Sequence, residues 1–93
     1  MKSDIVRSKI DKLDVKLVRI LNKRFKLSNK LIQYKIKNNI AVKDQKRENQ
    51  ILNKNKKLAK KLKLNPSFVE DIFNKVLKES KNPISEIFNS KLL

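Results

Sequence analysis

The sequence predicts an all-α chain of three helices with one long N-terminal helix, and three observations lead there. The 93 residues include no Gly and only two Pro, so almost nothing interrupts helical propagation. Apolar residues recur at three- and four-residue spacing through most of the chain. The first such series, from Val6 to Leu31, meets no breaker until Asn38-Asn39.

Taken in order, Ser3 offers an N-cap, and Val6, Ile10, Leu13, Leu17, Ile20, Leu21, Leu27 and Leu31 form the apolar stripe of a first helix expected over residues 4–37. Such a helix is about 50 Å long. A compact globule of this chain length is only about 30 Å across, so the helix must protrude. A protruding amphipathic rod needs its stripe covered, and a second copy of the chain related by a two-fold axis is the economical cover.

Residues 38–43 read as a short loop with Val42 as an apolar anchor. Asp44 is an N-cap, and the second helix runs to about Leu62 with Ile51, Leu58, Ala59 and Leu62 on one face. Asn65-Pro66 pairs a cap with a first-turn proline and restarts the chain. The third helix turns Val69, Ile72, Phe73, Val76 and Leu77 inward and extends to about Ser80. Pro83 should kink or interrupt it, because proline clashes with the carbonyl four residues back. A short amphipathic tail of Ile84, Ile87, Phe88 and Leu92 follows. The whole, residues 1–93, reads as a single domain near the lower size at which one chain is stable alone.

Composition removes several chemistries. With no Cys and no His there are no disulfides, thiol nucleophiles or imidazole bases, and nearly no transition-metal site is available. Carboxylates, cations, hydroxyls and amides must do the work. The N-terminal stretch MKSDIVRSKID lacks the apolar centre of a signal peptide, and no run approaches the roughly 18 apolar residues of a membrane span. A soluble, cytoplasmic chain without membrane association is expected.

The formal charge of +16 raises the possibility of nucleic acid as a partner. Yet Lys, Asn and Ile number 21, 11 and 10, a bias that AT-rich coding produces, and lysine is a good helix former on solvated faces. The aromatics Phe25, Tyr34, Phe68, Phe73 and Phe88 are not interleaved with the basic residues as base stacking requires. Only Lys54–Lys63 resembles a basic patch, so nucleic acid is not the expected partner. The positive field would equally draw in a small anionic metabolite.

Some charges sit in unexpected places. When the helices are projected at about 100° per residue, Arg24 and Lys35 fall inside the apolar stripe, in line with Leu17 and Leu31. Asp44 and Glu48 fall at the centre of the apolar face of the second helix, with Arg47 at its edge. Ser80 continues the inward stripe of the third. Unpartnered buried charges are costly, so the placement needs a cause. One cause is an internal ion pair of Arg24 or Lys35 with Glu48. The other is a polar cavity completed by a ligand. Arg24 and Lys35 stand about 16 Å apart along the axis, with small Ser28 between them, which leaves room for a small polyanion. Arg7, about 25 Å from Arg24 on the same rod, is too far to share that ligand except from a partner's antiparallel helix. Three of the four arginines, Arg7, Arg24 and Arg47, belong to this pattern, and arginine grips carboxylates bidentately where lysine does not.

Arg7, Ile10-Asp11, Leu13-Asp14, Arg24, Tyr34-Lys35, Val42, Asp44, Arg47-Glu48 and Ser80 together resemble the all-helical chorismate mutase family, from about residue 4 to 81 without insertion. The resemblance implies an intertwined homodimer with two equivalent sites and isomerisation of chorismate to prephenate without cofactor or metal. By position, Arg24 and the other subunit's Arg7 would bind substrate carboxylates. Lys35 would contact a carboxylate and the ether oxygen of the breaking bond. Glu48 and the backbone at Asp44 would hold the ring hydroxyl, and Arg47 and Ser80 would support the carboxylate end.

One position departs from the pattern. Ile84 stands where the family presents Gln or Glu to the ether oxygen, and isoleucine cannot donate. Lys35 then acts alone, or the kink at Pro83 brings Ser85 or Glu86 into the gap, or activity is lost. Three other functions remain open: a relative that eliminates pyruvate from isochorismate, an inactive copy of the same fold, and a small basic helical dimer that binds nucleic acid.

Overall fold

A computed structural model describes residues 2–81. The expected kink at Pro83 and the amphipathic tail from Ile84 onward lie outside the described residues. Within them the regular structure is three helices: α1 (Lys2–Lys37), α2 (Gln45–Lys61) and α3 (Pro66–Ser80).

The first helix is 36 residues long, and the longest molecular dimension is 57 Å. A radius of gyration of 16.3 Å exceeds the roughly 12 Å of a compact domain of this length. The excess is the free N-terminal part of α1. Its last turn ends on Asn39, whose φ of 57° is left-handed. Ile40 N donates to Lys35 O at 2.8 Å and Asn39 N to Ile36 O at 3.2 Å, the paired bonds of a Schellman stop. Asparagine tolerates this conformation better than other residues with a β-carbon, which is why the chain can turn here without glycine.

The second helix starts where Asp44, in extended backbone, accepts from Arg47 N at 3.0 Å through Oδ1. It ends on a second Schellman stop, with Leu64 N donating to Ala59 O at 2.8 Å. Here the left-handed residue is Lys63, at φ 61°. Lysine has no side-chain compensation for that conformation, so Lys63→Gly should stabilise the fold by roughly 0.5–1 kcal/mol, read as a raised thermal midpoint. Asn65 caps α3 by accepting from Ser67 N at 3.0 Å and Phe68 N at 3.4 Å, with Pro66 next to it in the first turn.

The core is small. Among the described residues only Ala59, Val76 and Leu77 are buried, where α2 and α3 pack most extensively. Ala59 is 2% exposed, and its lack of bulk suits a close helix approach. The first helix meets α3 more lightly and buries no residue of its own. Lys56 and Glu70 add an ion pair between α2 and α3 at 2.6 Å, partly solvated and so of small energetic weight.

Leu58, Leu62 and Ile72, expected to face inward, are exposed in the single chain. Periodicity identified the apolar side of each helix, but one neighbouring helix covers only part of that side. The stripe of α1 is equally bare: Val6, Ile10, Leu13, Leu17 and Ile20 are all half exposed or more.

Candidate active site

Three helix segments converge on one cavity of about 330 Å³. The C-terminal half of α1 supplies Arg24, Leu27, Ser28, Leu31, Ile32 and Lys35. Val42 comes from the loop, Asp44, Arg47, Glu48 and Ile51 from the start of α2, and Leu77, Ser80 and Lys81 from the end of α3. The turn at Asn39 produces this convergence. It folds the N-terminus of α2 back beside the stripe of α1, bringing residues adjacent in sequence to opposite walls.

Arg24, Lys35, Asp44, Arg47, Glu48 and Ser80, all anticipated from sequence, thus border the same space, as do Ser28 and Val42. Arg7 does not border it; it lies on the exposed part of α1, about 25 Å along the axis from Arg24. Ile84, Ser85 and Glu86 lie outside the described residues.

Several of the polar groups are held by identifiable contacts. Ser80 Oγ donates to Val76 O at 2.7 Å and accepts from Arg24 Nη1 at 3.3 Å, so α3 steadies the guanidinium. Lys35 Nζ reaches Val42 O at 3.4 Å, a long contact that anchors the ammonium only loosely. The carboxylate of Asp44 is occupied as the helix cap. Glu48 Oε1 pairs with Lys81 Nζ at 2.9 Å. The internal pair of Arg24 or Lys35 with Glu48, one of two explanations suggested by the sequence, is therefore not formed.

Charge does not balance around the cavity. Four cations among the described residues, Arg24, Lys35, Arg47 and Lys81, border it with two carboxylates, and both carboxylates are already engaged. Among the described residues Arg24, Lys35 and Arg47 have no carboxylate partner. Burial, and then the nearby positive charge of Arg47, lower the pKa of Arg24. An anion between the two guanidiniums would relieve both effects. Apolar walls from Leu27, Leu31, Ile32, Val42, Ile51 and Leu77 reduce screening and strengthen such an interaction.

Lys81 is the polar lining residue that the sequence did not single out. It lies one position beyond the inward Ser80, where helical periodicity carries no signal. Its pairing with Glu48 depends on how α3 crosses α2.

The chain matches the family described as chorismate mutase type II over residues 6–83. It belongs to that family. The matched region of this chorismate mutase-type chain includes Arg7 and every residue lining the cavity, and stops short of Ile84. Among curated proteins it is similar to three that bear the name bifunctional chorismate mutase/prephenate dehydratase, all from Buchnera aphidicola. The one from subsp. Schizaphis graminum is 37% identical over 81 residues, covering 85% of this chain and 21% of the relative. That from subsp. Acyrthosiphon pisum is 37% identical over 76 residues, covering 82% and 20%. The protein of subsp. Baizongia pistaciae is 36% identical over 74 residues, covering 80% and 20%. The chain thus spans about a fifth of the length of the relatives it matches. No solved structure gives a significant match. Among the described residues no helix is long and apolar enough to cross a membrane.

Proposed function

We propose that this type II chorismate mutase chain rearranges chorismate to prephenate in the cavity between α1, α2 and α3, as a cytoplasmic homodimer. One observation carries the reading: Arg24, Lys35 and Arg47 converge on a single cavity without carboxylate partners among the described residues. Chorismate is a compact dicarboxylate with a ring hydroxyl and an ether oxygen. Its charges complement that surplus.

The reaction is an isomerisation in which the ether C–O bond breaks as a new C–C bond forms, with no proton transferred and nothing added. No nucleophile, acid or base is required. Catalysis then consists of holding a folded, chair-like conformer and placing positive charge where the ether oxygen gains electron density. Arg24, fixed by Ser80, binds one carboxylate. Arg47 supports the carboxylate end beside it. Lys35, with its loose contact to Val42, can swing its ammonium to a carboxylate and the ether oxygen. Glu48 and the backbone at Asp44 receive the ring hydroxyl.

Arg7 completes the site from the partner subunit. The exposed stripe of α1 supports this arrangement, since covering a Val, Ile or Leu side chain contributes roughly 1.5–3 kcal/mol and several stand bare along the rod. Arg7→Ala and Lys35→Ala should each be inactive alone. After subunit exchange, a mixture should recover about one quarter of wild-type activity, because half the dimers are mixed and each holds one intact site. If Arg7 served its own chain, the mixture would stay inactive.

Loss of chorismate, followed in the ultraviolet with the purified chain, tests the whole reading. Turnover without added metal or cofactor is expected. An absence of turnover together with tight, salt-sensitive DNA binding would instead favour the basic helical dimer.

A further inference from the structure

We propose that Lys81 is a positioning residue of this site, acting through Glu48 to select substrates that carry a ring hydroxyl. The inference rests on the proposed function and extends it to a residue outside the family pattern. Lys81 caps the end of α3, and Glu48 lies in the first turn of α2, so their 2.9 Å ion pair ties two walls of the cavity together. Both side chains line that cavity, at 33% and 18% exposure.

The decisive feature is how the two carboxylate oxygens are used. Oε1 accepts from Lys81, whereas Oε2 is buried and has no hydrogen-bond partner among the described residues. An ionised carboxylate is purely an acceptor, and a buried acceptor left unmade is costly. Glu48 therefore offers one oxygen, in one orientation, to a donor that comes from the ligand. Lys35 and Arg47, the other cations near the α2 terminus, make no ion pair with Glu48. The pinning falls to Lys81. Without it the carboxylate is free to rotate or to pair with a cation meant for the substrate's own carboxylates. Recognition of the hydroxyl would then weaken while Lys35 continued to serve the ether oxygen.

The test compares the wild type, Lys81→Met and Lys81→Arg, on chorismate and on an analogue lacking the ring hydroxyl. Lys81→Met keeps most of the side-chain length without the charge and should raise KM for chorismate about tenfold, with kcat changed far less. KM for the analogue should be the same in wild type and Lys81→Met. Lys81→Arg, which can still pin Oε1, should restore most of the loss. Thermal unfolding of each variant shows that the comparison is between folded proteins. Equal KM increases for both substrates would reduce Lys81 to a general contribution to the positive field and overturn the proposal. An unchanged KM for chorismate in an active Lys81→Met enzyme would also overturn it while leaving the mutase reading intact. A wild type that neither binds nor converts chorismate would remove that reading and the inference together.

Discussion

Lys35→Ala should lower kcat for chorismate by about two to three orders of magnitude while leaving the helical fold in place. That size corresponds to losing one preorganised donor at a developing negative charge, roughly 3–4 kcal/mol of transition-state stabilisation. The fold should survive because, among the described residues, the Lys35 side chain makes a single long hydrogen bond, 3.4 Å to Val42 O. Its ammonium borders the cavity and, among the described residues, is not committed to a carboxylate, as suits a group that engages the ether oxygen only as charge develops there. Single-turnover kinetics and circular dichroism together check both halves. A kcat near that of the wild type would remove Lys35 from the ether oxygen and leave the cavity as a binding site without its proposed chemistry.

Arg24→Ala should act mainly on binding, raising KM for chorismate by about a hundredfold. Truncating one partner of a desolvated charge pair commonly costs 2–5 kcal/mol, roughly the range that this loss spans. Arg24→Lys should recover only part of it, since an ammonium cannot reproduce a planar bidentate grip. Stability should change little. Burial and the neighbouring Arg47 lower the pKa of Arg24 on folding, so the charged form is less favourable in the folded chain than in the unfolded one. For a base with a lowered folded pKa, that cost is present at neutral pH and disappears only as pH rises through the folded value. Removing the guanidinium should therefore leave the thermal midpoint nearly unchanged, the relieved charge offsetting the lost Ser80 hydrogen bond and the lost packing of the arginine stem. A clear fall in the midpoint would mean that Arg24 is a structural residue rather than one held ready for a ligand.

Activity and stability thus pull apart at this residue, as is common where a site stores unbalanced charge. The same imbalance separates the mutase reading from one based on total charge. Among the described residues most lysines are exposed, while the three cations without a carboxylate partner there border one cavity the size of a small metabolite. Neutralising exposed lysines between Lys54 and Lys63 addresses only the outer field. It leaves the inner group untouched.

The end of α1, the boundaries of α2 and α3, and the shared face of Arg24, Ser28 and Lys35 were legible in the residues themselves. Ser3, expected as the N-cap of the first helix, instead lies inside α1, which already begins at Lys2. Asp44, Asn65-Pro66 and Asn38-Asn39 mark starts and stops because caps and left-handed turns are made by groups a few residues apart. The spacing of Arg24 and Lys35 sets their direction because a helix has a fixed period. Which groups would meet was a different matter. Glu48 pairs with Lys81, 33 residues away, rather than with the cations of α1, and Leu58 and Leu62 stay exposed despite lying on an apolar face. Periodicity specifies the direction of each side chain about its own axis. Only the packing of one helix against another decides what lies in that direction, and so the pairing of charges, the space left between them and the oxygen of Glu48 left without a partner all belong to the tertiary structure.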